Sequence, residues 1–562
     1  MRREVSVVNK KVCSFPILFA LLALLIGTCA VVFPASAQAA PTSTGSITVS
    51  GTVARSYDAY QIFSANVVDG DSDSKIATDL AWASDAVRDA ALPVLHSAGM
   101  PNSQTTAQEA AEWLNTDSHL TSALSAQLAR SLQSSGAVFV ALNAGTAAEL
   151  PCGYWLIVAD DDAIAQGEVG TAPIMALVGG SAVTVKPKAA TPKVAKHVLE
   201  DSTAAWQKAA DATVADDLYW RLSATVPAGL TAYDTYTVRF VDTMSAGLDP
   251  SKVAASMRVY VAAGADGGFD AVQTGKDGRA GTDPAKGWTD ITAQCATKVA
   301  ADGTFTVRTG DLIAALGGAD AFTAGARVVA VYNAPLNSAC NHGIAKGNPN
   351  EVYLRYPRSP FADQSGDAGF TRTPSDDACA YTWDLALTKR GSDGDKPLAG
   401  AVLSIADDRG RTLAADGTWD AEGKATVTTG EDGRVTVSGV DSGKLEVREL
   451  KAPKGYTAFE GARSVTVKAE GLDVDQVAAA KPKLTITAES PLRADSADGS
   501  TGSLEASLIN TPTGTPPSIT TGGFMPSTGD MAMYAAAAAA VAGAALIVVA
   551  LLVKRGGGSH KE

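Results

Sequence analysis

At 562 residues the chain has room for three or four domains, and its net charge of −14 argues against nucleic acid and anionic surfaces as partners. His96, His119, His197, His342 and His560 are scattered without metal-ligand spacing, and there is no Gly-x-Ser-x-Gly or His-Glu-x-x-His run, so no metal, cofactor or enzymatic constellation is expected. A composition rich in Gly, Thr, Ala, Val and Asp, broken into short alternating runs, points to extracellular all-β modules rather than an α/β enzyme.

Arg2, Arg3, Lys10 and Lys11 precede an apolar run from Phe15 to Phe33 and then Ala35-Ser-Ala-Gln-Ala-Ala40. A charged start, an apolar centre and small residues at a cleavage point read as a signal peptide over residues 1–39, with an uncleaved anchor as the alternative. Residues 40–188 read as a first domain of mixed α+β character. Gly45–Ser50 and Tyr57–Phe63 are strand-like. Between Asp85 and Leu132 the apolar spacing turns helical, through Val87, Ala91 and Val94, then Ala107, Ala110 and Ala111, then Leu124, Leu128 and Leu132. Strands return at Ala137–Leu142, Gly153–Val158 and Ile174–Val178. Cys13 and Cys29 fall in the signal peptide, which leaves Cys152, Cys295, Cys340 and Cys379. Four cysteines allow three pairings and the sequence does not choose among them; Cys295 with Cys340 is preferred because both lie in one domain.

Val183-Thr-Val-Lys-Pro-Lys188 closes the first domain. This segment resembles the pilin motif of Gram-positive backbone pilins, with Lys186 where that motif has Tyr. The resemblance implies a solvent-reachable acceptor amine on Lys188, or on Lys186 beside it. The second domain spans 189–376. Val194, Lys196 and Val198 share one strand face, and so do Tyr236, Val238, Phe240 and Asp242. A charge on each of two apolar faces is costly unless the two meet. Pro192–Val198, Phe240–Leu248 and Val331–Asn337 resemble the fimbrial isopeptide-forming D2 domain, in which Lys196 would be the reacting lysine and Asp242 the catalytic acid. By strand parity Arg358, in Val352-Tyr-Leu-Arg-Tyr-Pro-Arg-Ser-Pro360, stands where the family has its partner Asn. Arginine is not acylated in this way, so this reading expects no intramolecular amide here and an Arg358–Asp242 ion pair in its place.

In the third domain, 380–512, three alternating strands end in a polar residue on the apolar face. These are Leu385, Leu387 and Lys389; Leu445, Val447 and Glu449; and Leu504, Ala506, Leu508 and Asn510. Leu445–Tyr456 resembles the pilin E-box, and the whole resembles a collagen-adhesin B-type, prealbumin-like β-sandwich. The resemblance implies an amide between Lys389 and Asn510, with Glu449 as proton shuttle, since a dry site favours the neutral amine and the neutral acid. Residues 513–530 read as a Pro/Thr/Gly-rich stalk ending in Met525-Pro526-Ser527-Thr528-Gly529, which resembles the LPxTG sorting signal with Met for Leu. An apolar stretch over 531–553 is long enough to span a bilayer as a helix, and the basic tail 554–562 is expected on the cytoplasmic side.

The combined expectation is a mainly β chain: tandem immunoglobulin-like or prealbumin-like sandwiches behind a mixed N-terminal domain, with a C-terminal transmembrane helix. The resemblance implies a structural backbone subunit of a covalent pilus on the Gram-positive cell surface, not an enzyme beyond its own internal amides. Its expected partners are pilus-type and housekeeping sortases, further copies of itself head to tail, accessory pilins, peptidoglycan and a host surface ligand. The alternative is a wall-anchored adhesin that never polymerises.

Overall fold

The computed structural model describes residues 43–514 apart from 52–53, 72–73, 117, 165–166, 188–190, 227, 229, 276–278, 319–320 and 322–323. The expected signal peptide, Lys188, the expected sorting signal 525–529, the apolar stretch 531–553 and the basic tail therefore lie outside the described residues.

The first domain is mixed, as its changing periodicity predicts. A five-stranded sheet, with Ser56–Asp69 and Gly153–Ala159 at its centre, carries helices on one face and a three-stranded sheet on the other. The helical spacing between Asp85 and Leu132 becomes Asp85–Ser97, Ala107–Asn115 and Ser122–Ser135. Each starts on a hydroxyl cap, Ser84, Thr106 or Thr121, that accepts an otherwise unpaired N–H, and Glu109 completes a capping box on Thr106. Val87, Leu95, Leu128 and Leu132 face Tyr60, Phe63 and Leu156 of the sheet. The last strand, Val183–Val185, lies parallel to Thr44–Val49 and delivers Lys186 to the surface.

In the second domain two sheets face each other. One is six-stranded and contains Lys193–Glu200, Tyr219–Val226 and Ala326–Asn333; the other is seven-stranded and contains Arg239–Met244, Asn348–Pro357 and Asp376–Tyr381. Strict alternation sends Trp220, Leu222, Phe240, Val328, Leu354 and Tyr356 into one core. Thr382 alone separates Asp376–Tyr381 from Trp383–Gly391, the first strand of the third domain. The Trp383 indole donates to Asp211 Oδ2 at 2.6 Å, back into the second domain.

The third domain is a sandwich of five- and seven-stranded sheets. Its first and last strands, Trp383–Gly391 and Ser503–Pro512, lie side by side and parallel, with Lys389 opposite Leu508 and Gly391 opposite Asn510.

The expected Cys295–Cys340 disulfide is corrected: all four described cysteines are free thiols. Cys295 donates to the Ile291 carbonyl at 3.3 Å, whereas Cys340 faces the His342 ring at 3.5 Å. Membership of one domain did not bring the two side chains together, and burial pushes both thiols up to about 11, which keeps them protonated and slow to oxidise. Alkylation of the native chain is expected to leave buried Cys152 and Cys379 untouched, and denaturant alone, without reductant, should expose all four to reagent. A mass unchanged by alkylation until reductant is added would contradict this arrangement.

Candidate functional site

Two sites stand out because each buries a lysine completely. A buried ammonium is costly unless its charge is met or lost, so what surrounds it decides what the site can do.

In the third domain alternation carries Lys389 to the end of an inward face. Its side chain is 0 % exposed, with Asn510 at 2 % and Glu449 at 8 %. Lys389 and Asn510 sit on neighbouring parallel strands of one sheet, and Glu449 reaches them from Gly443–Lys451 in the sheet opposite. The Lys389 amine is 3.4 Å from Glu449 Oε1 and donates to the Leu508 carbonyl at 3.3 Å. The Asn510 amide nitrogen donates to both Glu449 oxygens at 2.9 Å, while Asn510 Oδ1 is buried without a partner. Burial lowers the lysine to about 8, against the upward pull of Glu449. A neutral amine is thus within easy reach of neutral pH, beside a carboxamide whose oxygen lacks a donor. Turned over, the carboxamide would bring that oxygen to the Glu449 carboxyl group. The three residues that the sequence pattern singled out are brought together here.

In the second domain Lys196, also 0 % exposed, comes from the six-stranded sheet and bonds Asp242 of the sheet opposite. The Tyr332 hydroxyl accepts from Lys196 at 2.8 Å and donates to Asp242 at 3.1 Å. Burial lowers the lysine and raises the acid. The rings of Trp220 and Tyr332 flank the amine at 5.4 and 5.3 Å.

Arg358 is not there, which corrects the expected Arg358–Asp242 ion pair. Pro357 ends its strand, and the arginine turns toward the first domain, where it donates to the Asp161 carbonyl at 3.3 Å. The group beside Tyr332 is instead Asn350, fully buried, whose amide nitrogen donates to the same hydroxyl at 2.8 Å. Asn350 Oδ1 and Asp242 Oδ1 are both buried without partners, and the two side chains share the Tyr332 hydroxyl. The reason for expecting no amide in this domain is thereby removed. Sequence reasoning missed Asn350 because it sought the partner after the apolar run. Asn350-x-Val352-x-Leu354-x-Tyr356 puts an asparagine on the inward face at the start of that run, and strand parity alone makes it visible.

Residues 384–481 match the family described as the SpaA prealbumin-like fold domain. The chain is 31% identical over 134 residues to the trypsin-resistant surface T6 protein of Streptococcus pyogenes serotype M6, a match covering 22% of this chain and 23% of that one; it thus spans under a quarter of the curated relative's length. Among solved structures, the T6 backbone pilin of serotype M6 Streptococcus pyogenes is similar at 17% identity and TM-score 0.45, over 84% of this chain and 98% of that one. The full-length major pilin SpaD from Corynebacterium diphtheriae is similar at 15% identity and TM-score 0.41, over 86% of this chain and 100% of that one.

The lowered Lys389 value has a testable sign. With Asn510→Ala the amine stays free. Between about 8 and its ordinary value of 10.5 the unfolded chain binds more protons than the folded one, so stability rises with pH across that window. Thermal melts of Asn510→Ala are expected to shift upward by a few degrees from pH 8 to 10, relative to a Lys389→Met/Asn510→Ala control. A flat difference would mean that the amine is not destabilised by burial.

Proposed function

We propose that the chain is the structural backbone subunit of a covalently polymerised surface pilus, stiffened by internal amides and joined to its neighbours by sortase. The observation that carries this reading is the dry Lys389–Glu449–Asn510 site between the first and last strands of a sandwich. The prealbumin-like match over 384–481 and the sorting sequence Met525–Gly529 support it.

In the third domain the neutral Lys389 amine attacks the side-chain carbonyl carbon of Asn510. The C–N bond forms, Glu449 passes protons from the attacking to the leaving nitrogen, and the amide nitrogen departs as ammonia. Folding holds amine and carbonyl together at high effective molarity, which stands in for an external enzyme. The same chemistry is proposed for Lys196 and Asn350, with Asp242 as the acid. The amide from Lys389 to Asn510 closes a loop of about 120 residues; by analogy with disulfides that is of order 4–5 kcal/mol of unfolded-state entropy.

At the far end the chain is substrate. A sortase cysteine attacks the Thr528 carbonyl and forms a thioester, and the chain from Gly529 onward leaves. The acceptor is Lys188 of the next copy, with the exposed Lys186 as the neighbouring candidate. One acyl donor and one amine acceptor per chain give a heterologous contact that extends as a fibre instead of closing. Peptidoglycan takes the last thioester, accessory pilins join the same chemistry, and the assembly stands on the cell wall.

Two measurements test this. Each internal amide makes the chain about 17 Da lighter, the ammonia lost in joining two neighbouring side chains, so a loss of about 34 Da is expected and Glu449→Ala should abolish half of it while the chain stays folded. Cell-wall extracts should yield a ladder of species that survives hot detergent and collapses to monomer with Lys188→Ala. A single monomeric band in the unmodified strain would favour the non-polymerised adhesin.

A further inference from the structure

Four arginines stand in register across the outer face of the second domain's seven-stranded sheet. Arg239 lies opposite Arg308 on one neighbouring strand and opposite Arg355 on the other, and Arg355 lies opposite Arg372 on the next. Directly paired residues project from the same side of a sheet. Here that side faces away from the core, because the chain neighbours Phe240, Val307 and Leu354 are the ones buried. Strands sit about 4.8 Å apart, so the row runs roughly 14 Å. Like charges directly opposite destabilise a sheet, and folding alone gives no reason for four of them.

One carboxylate answers the row. Asp367 bonds Arg239 through one oxygen and Arg355 through the other, the latter at 3.0 Å. Hydrogen bonds from Arg239 and then Arg355 hold its carboxyl below the usual range. Arg308 is left with a backbone carbonyl, Gln364 O at 2.8 Å, and Arg372 with the ring of Tyr353 at 5.0 Å; among the described residues neither has an ion-pair partner. The Asp367 loop divides the row into two clefts. One, of about 370 Å³, is lined by Arg239, Arg308 and Lys298. The other, of about 480 Å³, is lined by Arg355, Arg358 and Arg372, and Arg358 Nε is buried there without an acceptor. Asp367 thus sits at the middle of the row, on Arg239 and Arg355, between the two clefts.

We propose that this row binds a short stretch of a sulfated polysaccharide, with one anionic group in each cleft on either side of Asp367. Planar guanidiniums suit sulfate and carboxylate oxygens. A nucleic acid fits less well, because the aromatic faces that would stack bases are covered: Arg239 lies over Phe370 at 5.2 Å and Arg372 over Tyr353. The net charge of −14 repels a long polyanion and limits the contact to the row itself. This site does not depend on the polymerisation chemistry.

Calorimetric titration of the full chain with a size-defined heparin hexasaccharide tests it, beside the desulfated sugar and a single-stranded DNA oligonucleotide. The sulfated sugar is expected to bind and to weaken steeply as salt is raised. Arg372→Gln and Arg308→Gln should each cost about tenfold, the loss of a charge-assisted hydrogen bond, and the desulfated sugar should not bind. Arg372 is exposed, so its variant keeps the test open should Arg308→Gln fail to fold. Unchanged affinity in a folded variant overturns the site. Equal binding of desulfated sugar, or DNA as tight as the sulfated sugar, overturns the assignment to a sulfated glycan.

Discussion

Taking a lysine ammonium out of water costs several kcal/mol even after relaxation, and an acid beside it recovers that only with good geometry. Lys196 and Lys389 both accept this burden, and both have more than an acid within reach. Each site adds an asparagine whose carbonyl oxygen is buried without a donor. Separately, the buried cation and the orphaned carbonyl are two liabilities. Joined, they become one neutral amide, and the leaving ammonia carries the extra nitrogen away. The unfavourable burial would then act as a driving force, and the rest of each sandwich would serve to keep water out during that step. Trp220, Tyr332 and Phe305 do this around Lys196, and Leu387, Leu508 and Val447 do it around Lys389.

The two sites sit differently in the load path. In the third domain Lys389 and Asn510 lie on adjacent parallel strands that also enter and leave the domain. A pull on the two ends meets these strands in shear, and an amide near their far end removes nearly everything between 389 and 510 from the path. Without it, about 130 residues at roughly 3.4 Å each would be available to extend. In the second domain the partners lie on facing sheets, Lys196 on one and Asn350 on the other. There a link would resist separation of the sandwich rather than sliding of neighbours.

How much was legible followed from locality. The three first-domain helices, most of that domain's strands and the Lys389–Glu449–Asn510 set were readable because each rests on a run of alternating or helical spacing, whereas Lys75–Trp82 and Ala147–Pro151, with weak alternation, went unread. Asn350 was hidden because it opens its run, and Arg358 misled because parity was carried past Pro357, where the strand had stopped. The cysteine pairing failed for another reason: sharing a domain says nothing about the few ångströms that a disulfide requires. The arginine row was invisible to any one-dimensional reading. Its members come from four strands scattered between 239 and 372, and only the pairing register aligns them. Net charge, which argued against anionic partners, averages such a row away.

The inner chemistry and the outer charge are consequences of one register. On Arg239–Met244, Phe240 and Asp242 point inward while Arg239, Val241 and Thr243 point outward, and the strands beside it obey the same alternation. A slip of one residue would turn every side chain to the other face, putting Arg239 in the core and Asp242 in water. The arginine-rich face cannot by itself resist such a slip, since its own repulsion opposes the register. An amide from Lys196 to Asn350 would tie Asn348–Pro357, which borders Arg239–Met244, to the facing sheet, and with it the alignment of Arg239, Arg355 and Arg372. Covalent closure inside the sandwich would then be what allows four like charges to be held side by side on its surface.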